Sequence, residues 1–358
     1  MKTGISLYCS TPREKNRAIL QKARAAGVSL AFTSLQIPEE DPQQKKQAAR
    51  TMISDCREYG IWLMLDIAAD TAALLGCHAV EELEQWGITH IRLDDGFTLA
   101  QTAELSHTFH IVGNASTIGQ KDMNQWQKLG ADMTRFSACH NYYPKPWTGL
   151  SLPQVQAINR QLHAYGLETM AFVPGDAELR GPLHEGLPTI ENHREERNHV
   201  LKNALELYSA ADCDIVLQGD PDMSDAAWEQ WKALAGNELL LEIDLPQEFE
   251  YLYGTVHHDR PDASEYVFRS VESRRVCPLA GLPPTEPKPR PAGSICLSND
   301  AFLRYRGELE ITRKDLPPDA RVTVIGRLTP QQLALLQKLP LFMAVRFVPK
   351  KNNSSSKI

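Results

Sequence analysis

The chain has 358 residues, of which 42% are hydrophobic and 23% are charged, so we expect an ordinary soluble globular protein long enough for two domains. Its formal net charge is −7, and the one short basic cluster is Lys350-Lys351. Nucleic acids and membrane surfaces usually attract a basic patch, so we expect neither as a partner.

The seven cysteines stand singly, without a CxxC pair, so we expect no disulfide framework and no zinc site, and a reducing compartment. The first residues lack the long apolar core of a signal peptide, and no apolar run is long enough to cross a bilayer. We therefore expect a cytoplasmic protein. The GxSxG, HExxH and GxGxxG patterns are absent, and we expect no cofactor and no metal ion.

From Gly4 to about Leu234, short β-branched or aromatic runs alternate with longer amphipathic stretches in roughly eight units, which predicts a TIM-type (β/α)8 barrel. The predicted strands are Ile5–Tyr8, Leu30–Ser34, Trp62–Ile67, Ile88–Asp94, His110–Gly113, Met133–Ala138, Thr169–Val173 and Asp214–Gln218. The predicted helices include one that ends at Gly27, one from Pro42 to Gly60 and a longest one over Asn192–Ala211. Glycines 87, 130 and 166 each precede a strand, as glycines that end helices do.

After Gly236 the alternation of strands and helices stops. A strand over Leu239–Leu245 is followed by short segments and a Pro-rich loop from Cys277 to Gly293. The short segments predicted as strands are Glu265–Phe268, Gly307–Ile311, Arg321–Ile325 and Leu341–Val348, with one helix over Pro330–Gln337. We therefore expect a barrel over 1–236, a small β domain over 237–349 and a disordered tail over 350–358.

The stretch from Thr89 to Phe97 is the first candidate for chemistry. Side chains alternate along a strand, so His90, Arg92 and Asp94 should share the face toward the barrel interior, with Asp94 nearest the carboxyl end. Active sites of such barrels lie at that end. Asp94 and Asp95 are adjacent and would repel each other unless one is protonated, hydrogen-bonded or matched by Arg92.

Other polar residues also follow predicted strands, and a single acid there is about as likely to cap a helix as to act in catalysis. They are Ser34, Asp66, Asn114, Ser116, His140, Asn141, Tyr142, Tyr143, Asp176, Gln218 and Asp220. Carboxylates, amides and aromatic rings at one mouth indicate a carbohydrate site. Asp66, Asp94 and His140 could converge on a metal ion, but their spacing is not that of a metal site.

Several motifs resemble the 6-phospho-N-acetylmuramidase family of bacterial glycoside hydrolases over essentially the full length. The matching segments are 4–8, 32–40, 91–97, 114–117, 140–144, 148–150, 180–189 and 304–309. The resemblance implies a TIM-type barrel followed by a small cyclophilin-like β domain. It also implies cytoplasmic hydrolysis of the β-1,4 bond in 6-phospho-N-acetylmuramyl-N-acetylglucosamine, a product of peptidoglycan recycling. His184 departs from the family pattern, in which we expect a tyrosine.

Two mechanisms remain open for such an enzyme. In the first, the acetamido oxygen of the substrate attacks, Asp94 orients the acetamido group and Asp95 is the general acid and base. In the second, one of these aspartates pairs with Glu185, and a carboxyl separation of about 5 Å would indicate retention whereas about 6.5 to 9.5 Å would indicate inversion.

The substrate also carries a phosphate and a lactyl carboxylate, which require cations or amide donors. Arg180 is the first candidate and Arg304, from the second domain, is the next, although Arg304 could instead form an interdomain salt bridge. Asp66, Asn114, Asn141 and Tyr143 are the expected partners of the sugars. The alternatives are another 6-phosphoglycosidase and a phosphosugar-binding regulator without catalysis, and a homo-oligomer is possible. A prolyl isomerase activity does not follow from a cyclophilin-like fold.

Overall fold

The computed structural model describes residues 1–35, 42–94, 96–277 and 281–350, without the side chains of 42–45. The chain divides into two compact units between Ala235 and Gly236, where the sequence pattern changes. The predicted disordered tail lies outside the described residues except for Lys350, whose ammonium group pairs with Asp244 at 2.8 Å. In the described part of the chain, no helix is both long and apolar enough to cross a membrane.

The first unit is a closed barrel of eight parallel strands in sequence order, which confirms the predicted TIM-type architecture. The strands are β1 (Lys2–Ser6), β2 (Leu30–Ser34), β3 (Trp62–Ile67), β4 (His90–Leu93), β5 (His110–Asn114), β6 (Phe136–Cys139), β7 (Glu168–Val173) and β8 (Ile215–Gln218). The helices of this unit are α1 (Arg13–Ala25), α2 (Pro42–Tyr59), α3 (Thr71–Leu75), α4 (Leu99–Leu105), α5 (Gln120–Lys128), α6 (Leu152–Ala164), α7 (Asn192–Glu195), α8 (Val200–Ser209) and α9 (Asp225–Ala235). Short 3-10 turns lie at Val80–Trp86, Met133–Arg135 and Arg197–His199.

In the first unit, three predicted elements differ most from the structure. The first strand begins at Lys2 because it pairs there with β8, so Tyr8 lies beyond its end. The sixth strand begins at Phe136 because Met133–Arg135 forms a turn capped by Asp132. The predicted helix over Asn192–Ala211 is interrupted, and the carbonyl of Glu196 accepts a hydrogen bond from the Asn203 side chain at 3.0 Å.

The barrel interior contains an apolar cluster that lies below a polar mouth. Its members are Leu30, Phe32, Met64, Val112, Cys139, Met170, Phe172, Ile215 and Leu217, all of them buried. The β3–β4 register pairs Met64 with His90 and Asp66 with Arg92, so the polar side chains of both strands lie toward the same end. Glycines 87, 130 and 166 have φ values of 88°, 80° and 79°, which confirms their predicted place at helix ends.

The second unit contains two small sheets. One has the strand order β10 (Val256–His258), β15 (Ala344–Pro349), β9 (Glu238–Ile243), and the other has the order β11 (Val267–Arg269), β13 (Leu309–Thr312), β12 (Ser294–Ser298), β14 (Val322–Arg327). Helices α10 (Ser273–Val276) and α11 (Pro330–Lys338) and 3-10 turns at Gln247–Leu252 and Asp300–Tyr305 complete it.

Sequence reasoning missed β10, β12 and α10. The fully buried β12 is a five-residue run, Ser294–Ser298, in which serine and cysteine replace the usual β-branched residues. The cyclophilin-like identity of this unit stays a prediction.

Candidate active site at the carboxyl end of the barrel

A cavity of about 530 Å³ opens at the carboxyl ends of the barrel strands. The strands contribute Ser34 from β2, Asp66 from β3, Arg92 and Asp94 from β4 and its end, and Phe172 from β7. His140, Asn141 and Tyr142 follow β6, and the segment after β7 contributes Arg180, Glu185 and Leu187. This is the position at which (β/α)8 enzymes assemble their active sites.

Arg92 lies at the base of this cavity and is held by two side chains. It donates one hydrogen bond to Asp66 at 2.7 Å and another to the side-chain oxygen of Asn141. Only 3% of Arg92 and 6% of Asp66 are exposed. Burial lowers the pKa of Arg92, but the carboxylates of Asp66 and, more weakly, Asp94 outweigh burial. The pKa of Arg92 is therefore above its ordinary value, and the guanidinium is charged. Asp66 is therefore the buried counter-ion of Arg92.

Asp94 is the exposed carboxylate of β4 and lines the cavity, as the alternation of side chains predicted. Its backbone N–H donates to the carbonyl of Ile67 at 3.0 Å, which continues the strand pairing for one residue. Gly96 follows with φ 91°, a conformation that favours glycine. Asp95, the predicted general acid and base, lies outside the described residues.

Asp220 organises the segment between β7 and α7. Its carboxylate accepts hydrogen bonds from the backbone N–H groups of Gly175 at 2.9 Å, Arg180 at 3.0 Å and Leu187 at 3.0 Å. Asp220 is fully buried, and burial raises the pKa of its carboxyl group although the three hydrogen bonds act in the opposite direction. This predicted mouth residue therefore positions the segment that carries Arg180 and Glu185.

Arg194 joins this segment to the one that follows β6. Its guanidinium donates to the carbonyls of Tyr143 at 2.7 Å, Gly186 at 3.0 Å and Glu185 at 3.2 Å. It also pairs with Glu191 at 2.7 Å. The hydrogen bond from Arg194 to Glu191, together with those from the backbone N–H groups of Trp147 and Gly149, lowers the pKa of Glu191 to about 2. Sequence reasoning missed both residues, and their i,i+3 spacing on a helical stretch was the available signal.

Arg180 lies over the ring of Tyr8, with its guanidinium carbon 4.4 Å from the ring centroid. The Tyr8 hydroxyl donates to the carbonyl of Gly219, and burial raises the Tyr8 pKa. Tyr142, whose pKa burial raises to about 12, packs against Phe172 with ring centroids 5.1 Å apart. Tyr142 and Phe172 therefore give the cavity an aromatic wall, Tyr8 contacts Arg180 without lining the cavity, and both phenols are neutral at physiological pH.

His140 is fully buried yet lines the cavity. Its Nε2 lies 2.8 Å from the Asn159 side-chain oxygen, while the amide nitrogen of Asn159 donates to the carbonyl of Ala211. The Asn159 amide nitrogen is used by Ala211, so the Asn159 oxygen faces His140 and can only accept a hydrogen bond. The proton of that hydrogen bond is therefore on Nε2 of His140. Burial lowers the pKa of His140, so its imidazole is neutral. Its Nδ1 has no hydrogen-bond partner among the described residues.

The cavity brings together most, but not all, of the residues expected there. Glu185 is exposed and lines it with Asp94. Asn114 instead lines a neighbouring cavity of about 290 Å³, which Asp94 also lines, and its side-chain oxygen accepts from Ser116 N–H. The lining residues include Tyr142 rather than the expected Tyr143. Arg304 lines a cavity of the second unit.

The spacing of Asp66, Asp94 and His140 is not that of a metal site. Asp66, Asp94 and His140 do line one cavity. Among the described residues, however, no group of three metal-binding side chains is arranged to hold an ion. The pairing of Asp66 with Arg92 and of His140 with Asn159 accounts for two of these side chains without a metal.

Two solved structures are similar to this chain over nearly its full length. A crystal structure of a conserved protein of unknown function from Enterococcus faecalis is 30% identical, with a TM-score of 0.78 and coverage of 98% of this chain and 97% of that one. An uncharacterised B. cereus protein is 25% identical, with a TM-score of 0.74 and coverage of 97% and 99%. A thiamine-phosphate synthase of Halorhodospira halophila is 26% identical over 174 residues, which are 47% of this chain and 75% of that protein.

Family models cover almost the whole chain. The model described as the N-terminal part of 6-phospho-N-acetylmuramidase matches residues 3–233, and the model of its C-terminal part matches residues 239–348. The family name is that of a glycosidase acting on a phosphorylated amino sugar. The chain therefore belongs to the 6-phospho-N-acetylmuramidase family.

Proposed function

We propose that the protein hydrolyses the β-1,4 bond of 6-phospho-N-acetylmuramyl-N-acetylglucosamine in the cytoplasm, as a step of peptidoglycan recycling. The observation that carries this proposal is that one cavity is lined by the carboxylates of Asp94 and Glu185 and by the guanidinium groups of Arg92 and Arg180. Family membership supports the choice of substrate.

The carboxylates supply the chemistry of glycoside cleavage. A glycosidase needs one group that protonates the leaving oxygen and another that attacks or stabilises the anomeric carbon or activates water. Asp66 is a poor candidate for either role because it is buried and paired with Arg92. Asp94 and Glu185 are exposed to the cavity, and Asp95 follows Asp94 in the chain. We assign the acid and base roles to this group of three.

The two mechanisms use these acids differently. With substrate assistance, Asp94 orients the acetamido group and Asp95 acts as acid and base, while Glu185 is dispensable for chemistry. With two enzyme carboxylates, Glu185 is indispensable. Comparing the kcat of Asp95→Asn and Glu185→Gln separates the mechanisms.

Arg180 is our first choice for the substrate's phosphate or lactyl carboxylate, because guanidinium groups bind oxyanions bidentately. Arg92 adds positive charge at the base of the cavity, but two of its nitrogens are committed to Asp66 and Asn141. The neutral His140 also lines the cavity, and its buried Nδ1, which has no hydrogen-bond partner among the described residues, can accept a hydrogen bond from a hydroxyl or amide that reaches it. Tyr142 provides an aromatic surface for the sugar ring. The assignments of Asn114, Tyr143 and Arg304 to the substrate stay predictions.

The test is turnover of the phosphorylated disaccharide beside its unphosphorylated form. We expect cleavage of the phosphorylated sugar alone, and a loss of about 100-fold to 10,000-fold in kcat when the general acid is replaced by its amide. Glu178→Gln is the matched control, because Glu178 belongs to the same segment and pairs with Lys15 outside the cavity lining. Preference for another phosphorylated disaccharide would assign a different 6-phosphoglycosidase. Tight binding without product would leave a phosphosugar-binding regulator.

A further inference from the structure

The second unit contains a cavity of about 560 Å³ that is lined only by its own residues. Its side chains include five arginines and one carboxylate: Arg260, Arg274, Arg275, Arg304, Arg306 and Glu308. A chain with a net charge of −7 therefore concentrates positive charge in one concave place. Composition alone does not predict such a cluster.

The antiparallel pairing of β11 with β13 assembles this arginine pocket. Arg269 at the end of β11 pairs with Glu310 near the start of β13, so α10, which follows β11, lies beside the turn that precedes β13. Arg274 of α10 donates to the carbonyl of Arg304 at 3.1 Å, which joins the two segments. Leu303, directly before Arg304, has φ 52° and ψ −114°. Backbone strain of this kind in a non-glycine residue is concentrated at functional sites.

The positive charge of the pocket is only partly neutralised. One oxygen of the buried Glu308 accepts two hydrogen bonds from Arg269, at 2.7 and 2.9 Å, and the other is 4.0 Å from Arg274. Among the described residues, no carboxylate lies within 4.0 Å of a side-chain nitrogen of Arg275 or Arg304.

The other two arginines have carboxylate partners. Arg260 pairs with Asp262 at 2.8 Å and Arg306 pairs with Asp300 at 2.7 Å. Arg304 packs over the ring of Tyr305 at 4.8 Å and its Nη2 donates to the Tyr305 hydroxyl at 2.8 Å, contacts that orient its guanidinium and leave its charge in place. At least two guanidinium groups are therefore available to an external anion.

We propose that the arginine pocket binds the phosphate monoester of a small sugar phosphate. Planar guanidinium forks match the oxygens of a phosphate dianion, and a dianion relieves the repulsion between clustered cations. The cavity volume is that of a pocket for one small molecule. The proposal goes beyond the proposed function, because it concerns binding in the second unit and no cleavage step; of the pocket residues, only Arg304 is also a predicted ligand of the disaccharide.

The test uses the full-length chain and isothermal titration with glucose 6-phosphate and with inorganic phosphate, beside glucose. All titrations are made in the Arg180→Gln background, which removes the cation proposed to bind phosphate in the barrel. We expect saturable binding of both phosphates and none of glucose. We expect Arg275→Gln and Arg304→Gln each to raise Kd by roughly tenfold, the loss of one charge-assisted hydrogen bond.

The matched control is Arg327→Gln, which removes an exposed arginine of the same unit that does not line the pocket. The Kd of Arg327→Gln for the two phosphates should stay within about twofold of the parent value, since this variant changes only the screened, long-range electrostatic potential at the pocket. Arg275 and Arg304 are exposed, so both variants should keep the parent circular dichroism spectrum. Absence of saturable binding, equal binding of glucose, or an unchanged Kd in both pocket variants would each overturn the proposal.

Discussion

The buried pair of Arg92 and Asp66 gives the sharpest test of the site's architecture. In Asp66→Asn the Arg92 guanidinium, which is 3% exposed, loses the carboxylate 2.7 Å away and keeps the neutral oxygen of Asn141 and the weaker influence of Asp94. Removing one partner of a buried ion pair costs about 3–5 kcal/mol, because an uncompensated charge stays buried. For a unit of 150–250 residues, each kcal/mol lowers Tm by about 2–4 °C. We therefore expect the barrel transition to fall by about 6–20 °C.

Thermal unfolding followed by circular dichroism measures this change. Asp262→Asn is the control, because Asp262 pairs with Arg260 at the surface and should leave Tm at the wild-type value. The double variant Asp66→Leu with Arg92→Met should recover much of the loss, since it removes both charges. A Tm for Asp66→Asn equal to that of Asp262→Asn would show that Arg92 does not depend on Asp66.

Two further predictions concern the segments around the mouth. The folded-state pKa of Glu191 is about 2, below its ordinary value of 4.5, so its ionisation stabilises the fold above about pH 4.5, and this contribution is lost as the pH falls toward 2. Glu191→Gln should flatten the fall in stability over that window in urea titrations, and an unchanged slope would contradict the assignment. Trp147, 80% exposed with φ 68°, is held by a hydrogen bond from its N–H to Glu191 at 2.8 Å. Trp147 is not among the residues that line the cavity, but it follows the lining residue Pro144 by three positions, and we expect it to stack on a substrate ring. Trp147→Ala should then raise KM by roughly threefold to tenfold with Tm unchanged, since such contacts contribute about 0.5–1.5 kcal/mol; an unchanged KM would contradict this expectation.

Periodicity determined much of the fold. A period of two along β4 is sufficient to direct Arg92 and Asp94 to the same face, and both line the cavity. The alternation of strands and helices predicted the barrel, because consecutive parallel strands need a crossover between them. Gly87, Gly130 and Gly166 marked helix ends because the left-handed backbone there disfavours a side chain with a Cβ.

Which side chains pair across the barrel could not be read from those patterns. Arg92 contacts Asp66, 26 residues away, because the register of β3 and β4 brings the two residues to one level. It also contacts Asn141, 49 residues away, which follows the end of β6. Asp220 is buried under the segment after β7 and positions it, whereas its place at the end of β8 suggested the mouth. A strand's end predicts where a side chain lies along the barrel but not what packs over it.

The sequence by itself determined that acids and amides gather at the carboxyl end of a barrel, because strand direction and side-chain alternation are local properties. Only the tertiary structure decided that Tyr142 rather than Tyr143 lines the cavity and that Asn114 lines the neighbouring one. It also gathered Arg304 with four other arginines in the second unit. These outcomes depend on loop conformation and on strand pairing between distant segments, whose contacts no local pattern encodes.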